Sequence, residues 1–418
     1  MFTASRALLL RRMFRALKHT NFRRFLGAQA CAMTGHWVQQ VALGWLIYRL
    51  TDSAFYLALA GTFSLLPSLL LTPFVGVLAD KVDRRRVLLA TQSAALVHSL
   101  LLATLVITGA TSIPLLLGLA LFQGVIQGFD WTNRQSLLAQ LVDDRADLPN
   151  AIALNSTSFN LARVMGPSLA GALLVFSGEA ACFFVAAIGE AAALQFTRRL
   201  RLPPHQAPAG PRAPLADELR EGLRYAWHEP AIRRTLALVA LSSATVLPYA
   251  ALLPLFAARV FGGGPEVLGL LNAAPAVGAV LGGLLLASRR EQSGLDQRIF
   301  IAGLVTPAAA VALAFAPTLP LALPALLLLG GAQISWMASM NTRLQTAVRD
   351  SMRGRVMSFF NMAFMGALPL GQLVFGLATD RFGVARVLAT GAVVALIGNL
   401  WLHRRARPTP ALTPSVAG

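Results

Sequence analysis

Apolar stretches of about twenty residues follow one another along almost the whole chain, and they constrain its fold more than any other feature. A helix of that length crosses the roughly 30 Å hydrocarbon core of a bilayer. Hydrophobic residues make up 56% of the 418 residues and charged residues 13%, a composition too apolar for a soluble globular protein. Because lipid offers the backbone no hydrogen-bond partner and no barrel-like alternation is present, we expect an all-α membrane protein.

The apolar stretches form two groups of six. The first group of predicted spans covers residues 25–48, 54–79, 87–108, 113–131, 151–176 and 180–196. The second group covers residues 235–256, 267–287, 299–316, 319–340, 356–378 and 384–402. We therefore predict twelve transmembrane helices arranged as two six-helix pseudo-repeats.

The remaining segments complete the predicted organisation. We expect a basic cytoplasmic N-terminus (1–24), a first bundle (25–200), a cytoplasmic linker (201–233), a second bundle (234–402) and a disordered cytoplasmic tail (403–418). Pro203 and Pro204 interrupt any helix early in the linker. After them, Leu215, Leu219 and Leu223 recur every four residues, which predicts an amphipathic helix on the membrane surface. No small-residue cleavage site follows the first span, so no cleavable signal peptide is expected.

The net charge of +18 is distributed in short basic clusters between the spans, such as Arg84, Arg85 and Arg86. Nucleic-acid binding would need these charges on one soluble face, so we expect no nucleic-acid partner. The placement follows the positive-inside rule. It predicts a multi-pass protein of the bacterial inner membrane, with the lipid bilayer as its surroundings and both termini in the cytoplasm.

The two halves of the chain echo each other. Asn133 and Gln135, followed by a Gly-Pro helix, have counterparts in Asn341, Gln345 and a helix with Pro369. Parallel repeats of this kind are typical of secondary transporters whose substrate site lies between the halves near the bilayer midplane. A chance echo is the alternative.

The sharpest local motif is the run Gly76-Val-Leu-Ala-Asp80-Lys-Val-Asp-Arg84-Arg85-Arg86, which ends the second span. It resembles the loop motif between helices two and three of the major facilitator superfamily, and the resemblance extends over essentially the whole chain. It implies that Asp80 faces residues 351–355 at the start of the eleventh helix and latches the cytoplasmic face, with a gating set of Gly76, Asp80, Arg84, Arg85 and Arg355. Asp83 stands where the general motif usually has Gly. A loop that serves only topology remains an alternative.

A second resemblance lies in the fifth span. Residues 162–171 are similar to the Gly-Pro motif of the superfamily's antiporters, which implies helix packing by Gly166, Pro167 and Gly171. The run from Phe129 to Gly171 is similar to the enterobactin exporter branch of siderophore and drug exporters. One departure is Ala120, which stands before Gln123-Gly124 where many drug/proton antiporters have an Arg.

Four charged residues lie in or near the predicted spans: Asp130, Arg134, Arg163 and Glu190. Such residues are costly in a membrane and are therefore functional candidates. Arg163 and Glu190 flank the Ser177-Gly178 turn at similar distances, so we predict that they pair or share one network. Such a pair would either carry protons or only hold two helices together.

Polar and aromatic residues within the spans predict a substrate cavity, because polar groups in membrane helices face protein or water. The predicted lining is Gln29, His36, Trp37, Gln127, Trp131, Asn155, Asn160, Tyr249, Gln333, Trp336 and Asn361. Some of the Trp and Tyr residues would instead be interfacial anchors.

Together, these features predict a secondary active exporter of a small amphipathic molecule such as a siderophore or drug, coupled to protons and working as a monomer by alternating access. Import of a small metabolite by the same fold is an alternative, and a non-transporting scaffold is another. The chain lacks a phosphate-binding Gly-Lys-Ser/Thr loop and a cluster of catalytic residues, which argues against an ATP-driven pump or an enzyme. Its two cysteines form no metal-ligand pattern, and we expect no cofactor and no metal.

Overall fold

The structure is a computed structural model that describes residues 14–79, 83–201, 215–287, 294–349 and 352–404. Its first helices are α1 (Thr20–Thr51), α2 (Ala54–Ala79), α3 (Arg84–Thr108) and α4 (Ile113–Leu137). The next helical segment, Leu148–Arg198, is divided by non-helical backbone at Gly178 into α5 (148–177) and α6 (179–198). The others are α7 (Leu215–His228), α8 (Pro230–Thr245), α9 (Tyr249–Leu255), α10 (Pro265–Ala287), α11 (Leu295–Ala314), α12 (Leu319–Ala347), α13 (Arg353–Phe382) and α14 (Val384–Arg404).

Ten helical segments of the described chain are long and apolar enough to cross a membrane. One of them, Leu148–Arg198, has 51 residues, more than twice the roughly 20 needed for one crossing. The 32-residue α1 is not among the ten, and it carries several polar residues at membrane depth. With α1 added and the 51-residue segment counted as two crossings, the predicted all-α fold of twelve spans is confirmed.

The turn between α5 and α6 is a single residue. Gly178 has φ 75° and ψ −176°, a conformation that is open to glycine but strained for residues with a Cβ. This one position reverses the chain without a loop, so the predicted Ser177-Gly178 turn is confirmed.

Helix packing follows the same scheme in both halves. In the first half, α2 packs on α4, α3 packs on α4, and α1 packs along the α5–α6 segment. In the second half, α10 packs on α12, α11 packs on α12 and α14, and α8 packs on α13 and α14. The predicted six-helix repeat therefore corresponds to a repeat in packing.

The bundle has two ends, which we name by the residues they carry. The terminal face carries Thr20, where α1 begins, and Arg404, where α14 ends; the opposite face carries Asp52 and Gly178. The halves meet along α2 with α13 and along α5 with α10. Nearest the opposite face, a Cβ placed on Gly171 of α5 would lie only 2.6 Å from the Cα atom of Gly269 of α10.

The contact between α2 and α13 includes Leu69, which lies against Gly366. Within the described residues, α4 makes no comparable contact with α12 or α13. The halves are joined at the opposite face by the contacts given above. We call the region at the terminal face between α4 and the helices α12 and α13, where the described residues show no comparable contact, the cleft.

The seventh predicted span differs from the structure. The seventh predicted span, 235–256, begins earlier at Pro230 and is interrupted at residues 246–248, after which Tyr249–Leu255 continues into a π-helical turn, Phe256–Val260. Pro248 has no amide hydrogen to donate in the helix, which explains the break.

The amphipathic helix predicted in the linker is present as α7 and packs on α8 and α13. Residues 202–214 and 405–418, which belong to the predicted linker and tail, lie outside the described residues.

Candidate functional site

A cluster of charged and polar side chains lies between α1, α3, α4 and α6. Asp130 and Arg134, one helical turn apart on α4, form a salt bridge. The Arg134 Nη1 group donates to Gln29 Oε1 at 3.0 Å, and the Thr91 hydroxyl donates to Asp130 Oδ1 at 3.0 Å. Arg134 is only 6% exposed. We call Gln29, Thr91, Asp130, Arg134 and Glu190 the charged cluster.

Glu190 joins this cluster from α6. It interacts electrostatically with Arg134 and Asp130. Its side chain is 9% exposed, and its Oε2 atom is buried without a hydrogen-bond partner among the described residues. One guanidinium therefore faces two carboxylates. Buried charge is tolerated in a membrane only when it is balanced, and this cluster has one carboxyl group more than its single guanidinium can pair with.

The predicted pairing of Arg163 with Glu190 is wrong. Arg163 instead lies over the ring of Trp37, with its Cζ atom 5.9 Å from the ring centroid, whereas Glu190 faces Arg134. Equal distance from the Gly178 turn gave both residues the correct depth. It could not give the direction of each side chain around its helix, because that depends on how α5 and α6 pack on α1.

Arg163 belongs to a second group, which we call the Arg163 cluster: His36, Trp37, Trp131, Phe159 and Arg163. The rings of Trp37 and Phe159 pack edge to face with their centroids 6.3 Å apart, and those of Trp131 and Phe159 pack in the same way with centroids 5.2 Å apart. Trp131 is 42% exposed. Across the interface, Arg163 interacts electrostatically with Tyr249 of α9. The cluster thus lies where the two halves meet, beside the cleft.

His36 connects the two clusters. Its ring centroid lies 5.6 Å from that of Trp37, and it interacts electrostatically with Asp130. Its ring also lies 3.4 Å from the Gln127 amide nitrogen. His36 therefore lies between the charged cluster and the Arg163 cluster.

The other predicted cavity residues divide by burial. Asn155, Asn160 and Gln333 are half-buried and Asn361 is exposed. Tyr249 is buried at the interface between the halves. Trp336 corrects the prediction: it is 5% exposed and packs with Val239, Ile299 and Met340 in the core of the second half. Burial against apolar neighbours removes it from the cleft lining.

Glycine at position 166 brings α1 and α5 together. A Cβ there would overlap the Trp37 side chain and lie 3.3 Å from the Thr34 carbonyl oxygen. Pro167 is buried inside the same helix. Gly166 follows Arg163 by about one turn of α5, so this close approach brings Trp37 of α1 near Arg163. Gly171 allows a similarly close approach between α5 and α10.

The described members of the predicted gating set lie at or toward the terminal face. Gly76 is within α2, and Asp80 lies outside the described residues. Asp83 caps α3 by accepting from the Arg85 amide at 2.8 Å, and Arg85 Nη2 donates to the Arg198 carbonyl at 2.6 Å. Arg84 accepts at its carbonyl from Asn133. Arg355 donates to Glu221 of α7 at 2.7 Å.

The opposite face has a polar latch that the sequence reasoning missed. Asp380 of α13 accepts from the Ser53 hydroxyl at 2.7 Å, the Ala54 amide at 2.9 Å and the Phe55 amide at 3.2 Å. A carboxylate from the second half thus caps the first turn of α2. Asp380 follows Gly376 by four residues, as Asp80 follows Gly76, and this shared spacing was the available signal. A second link joins Arg259 to Asp52 at 3.1 Å.

An anchor at the terminal face was also missed. The short helix Arg15–Lys18 and His19 surround Asp147, whose side chain is fully buried at the start of α5. Lys18 and His19 approach its carboxylate at 2.7 Å and 2.9 Å, and Arg15 also pairs with it. Hydrogen bonds from Lys18, His19 and Arg15 hold the pKa of Asp147 well below its ordinary value. The described residues contain no group of three His, Cys, Asp or Glu side chains suited to a metal ion.

Known proteins resemble this chain over most of its length. The staphyloferrin A transporter of Staphylococcus aureus is 25% identical over 375 residues, which cover 87% of this chain and 91% of that protein. The multidrug efflux pump Tap of Mycolicibacterium fortuitum is 27% identical over 387 residues, 89% of this chain and 93% of the pump. Both are transporters.

Solved transporters share the fold. A bacterial homologue of the human lysosomal transporter Spinster, in an inward-facing and unoccupied conformation, superposes with a TM-score of 0.70 at 16% identity, covering 93% of this chain and 99% of that one. The nucleoside transporter NupG gives 0.71 at 13% identity, covering 92% and 99%. A family model described as transmembrane secretion effector matches residues 12–413. The chain therefore belongs to the transmembrane secretion effector family of the major facilitator superfamily, a family of membrane transporters and not of enzymes.

Proposed function

We propose that this transporter exports a small amphipathic molecule, such as a siderophore or a drug, across the bacterial inner membrane in exchange for protons. Family membership makes the chain a multi-pass transporter of a small molecule. The names of two relatives, a staphyloferrin A transporter and a multidrug efflux pump, support this kind of cargo. The direction, the coupling ion and the cargo are what the proposal adds.

The observation that carries the proposal is the surplus carboxylate in the charged cluster. Arg134 already pairs with Asp130, and Glu190 lies within electrostatic reach of both in a buried position. A proton on Glu190 balances the site, and its release leaves a net negative charge there. Because His36 and α4 connect this site to the Arg163 cluster, binding of a proton and binding of the cargo can exclude each other, as exchange requires.

The proposed movement alternates which end of the molecule is open. In the described conformation α5 meets α10 at the Gly171–Gly269 contact, and α2 meets α13 at the Asp380 latch. Rocking the halves about the central clusters would separate these contacts and close the cleft at the terminal face. Since both halves of the site come from one chain, a monomer suffices.

We place the terminal face in the cytoplasm because most arginines lie there. Those at helix ends on this face include Arg23, Arg24, Arg84, Arg85, Arg86, Arg198, Arg199, Arg233, Arg234, Arg353, Arg355 and Arg404. The positive-inside rule then puts both termini in the cytoplasm. In this orientation the cleft is open to the cytoplasm, as loading of an exporter needs.

The loop motif supplies a gate for the other conformation. Arg355 is bound to Glu221 while the cleft is open. We propose that, when the halves close at the terminal face, Asp80 meets the start of α13 and competes with Glu221 for Arg355. In this proposal the two rocking units are the first bundle, which ends at residue 200, and the second bundle, which begins at residue 234.

The test uses purified protein in liposomes loaded with carboxyfluorescein, a flat aromatic carboxylate, with and without an imposed pH gradient. We expect the gradient to drive carboxyfluorescein across the membrane by the wild-type protein. In Glu190→Gln the carboxamide cannot release a proton, so gradient-driven transport should fall by about tenfold, a typical coupling effect. Gradient-independent exchange of carboxyfluorescein should persist.

Glu229→Gln is the matched control, because Glu229 is an exposed residue before α8 and its amide should leave coupling intact. Full retention of gradient-driven transport in Glu190→Gln would remove Glu190 from the proton path. Movement of carboxyfluorescein only toward the cytoplasmic side would replace export by import.

A further inference from the structure

The Arg163 cluster offers hydrogen-bond donors without matching acceptors. Within the described residues Arg163 forms no salt bridge, and its guanidinium lies over the Trp37 ring. The indole Nε1 of Trp37 is buried and has no hydrogen-bond partner in the described part of the chain. A buried donor without a partner is costly, and it is satisfied when a ligand supplies the acceptor.

The depth of these donors suits a central site. Arg163 precedes Gly178 by fifteen residues, and Trp37 precedes Asp52 by fifteen. Fifteen helical residues span about 22 Å, which is half of a bilayer that measures about 40–45 Å with its headgroup regions. Both donors therefore lie near the midplane, beside the cleft.

Aromatic surface lies next to the donors. Phe159 contacts both Trp37 and Trp131, and Trp131 is partly exposed. Rings alone would also attract cations. Here the positive charge of Arg163 lies against one ring of the group and repels a second cation, so the electrostatic preference is for an anion.

We propose that the Arg163 cluster binds a substrate that carries a carboxylate and a flat apolar part. The carboxylate accepts hydrogen bonds from Arg163 and the Trp37 indole, and the flat part packs against Trp131 and Phe159. This inference rests on the proposed transport function and names its substrate class as organic anions. Loss of the carboxylate's charge should therefore weaken binding even when the shape is unchanged.

The test compares two probes of equal shape, 2-naphthoate and the uncharged 2-naphthamide, by equilibrium dialysis against the full-length protein in nanodiscs, with empty nanodiscs as the blank. We expect 2-naphthoate to bind about tenfold more tightly, the effect of one charge-assisted hydrogen bond. Arg163→Gln should lower its affinity to that of 2-naphthamide and leave 2-naphthamide unchanged.

Two further variants protect the test from a folding failure of Arg163→Gln. Trp37→Phe keeps a ring but removes the N–H donor, so it should weaken binding of 2-naphthoate more than binding of 2-naphthamide, because the uncharged carbonyl of the amide accepts a weaker hydrogen bond. Arg86→Gln removes a largely exposed guanidinium at the terminal face and should change neither affinity.

Equal affinities for the two probes in the wild-type protein, or loss of both to the same extent in Trp37→Phe, would overturn the assignment of an anion site. Binding is measured without a gradient, so this outcome is separate from failure of the transport proposal. Selective binding of 2-naphthoate combined with gradient-independent transport would keep the anion site and reject proton coupling.

Discussion

His19 is held between two carboxylates at the terminal face. Its ring nitrogens lie 2.9 Å from Asp143 and 2.9 Å from Asp147. Burial lowers the pKa of His19, but the hydrogen bonds and negative charges of Asp143 and Asp147 outweigh burial and raise it above its ordinary value. In its protonated form the ring donates to both carboxylates and joins the start of α1 to the start of α5.

The raised pKa sets the sign of a pH dependence. A group whose pKa is higher in the folded state stabilises it fully below the ordinary histidine value of about 6.5, and this stabilisation is lost as the pH rises through the raised value. We therefore expect residues 14–19 to exchange amide hydrogens faster above neutral pH, after correction for intrinsic exchange rates. Hydrogen exchange followed by mass spectrometry between pH 5 and pH 9 measures it.

His19→Gln should remove this pH dependence, because the amide does not titrate in that range. His403→Gln changes a histidine that stacks on Phe300 and should retain it. Protection of residues 14–19 that stays constant across the pH range in the wild-type protein would contradict the role given to His19.

At the scale of one helix, α4 shows how glycine determines packing. A Cβ on Gly124 would lie 2.8 Å from the carbonyl oxygens of Phe63 and Ser64 and from the Pro67 ring, all on α2. On the same helix, Gly118 has open space around it. Close backbone approach at small residues is the usual way in which membrane helices associate.

This difference gives a matched pair of substitutions. Gly124→Ala should destabilise the protein by about 1–3 kcal/mol, the cost of overpacking. The added methyl group would meet backbone atoms of α2, which can make room only if the whole helix shifts. Gly118→Ala should be neutral or stabilising, by up to about 1 kcal/mol from the higher helix propensity of alanine. Thermal unfolding of the two variants in the same detergent measures both, and equal unfolding temperatures would argue against the α2–α4 contact.

The interruption between α8 and α9 belongs to the same scale. The predicted span 235–256 is continuous because its hydropathy is continuous across Pro248. Prolines 254, 275, 307, 324 and 369 do lie inside helices. Sequence alone did not distinguish these from Pro248, since neighbouring helices decide whether freed carbonyl groups are satisfied.

For the whole molecule, the latch at the opposite face sets the balance between conformations. Asp380 exists as a cap only while α13 lies against the start of α2. Separating the halves at this face exposes the amides of Ala54 and Phe55 to water. The latch therefore stabilises the conformation with the cleft open at the terminal face relative to its alternative.

Asp380→Ala should shift this balance toward the conformation that is open at the opposite face, because alanine has no oxygen to accept from the start of α2. Loss of a helix cap costs about 1 kcal/mol, so the shift should be about fivefold in population. Spin labels at Ser112→Cys and Thr318→Cys, with Cys31 and Cys182 replaced by Ser, report the separation of the halves at that face. The distance distribution should gain a longer component.

Asp144→Ala is the control for the latch. Asp144 accepts within its own loop at the terminal face, so its substitution should leave the distance distribution unchanged. An unchanged distribution in Asp380→Ala as well would contradict the role given to the latch.

The sequence by itself determined the class of protein, the helices and the repeat. These properties depend on hydropathy and on backbone hydrogen bonding in lipid, which are local, and on a motif at one helix end. It also identified Asp130, Arg134, Arg163 and Glu190 as unusual, because a charge at membrane depth is visible without coordinates.

Only the tertiary structure decided which of these charges meet. Glu190 faces Arg134 and Arg163 lies on Trp37 because of how α6 and α5 pack on α1, and helix rotation of that kind has no signature in a single sequence. The same holds for Trp336, which is core. The spacing of Gly376 and Asp380 marks a repeat of the Gly76–Asp80 motif, but it does not show that Asp380 caps a helix of the other half. Contacts between distant segments depend on the arrangement of all the helices together, so no local pattern could predict them.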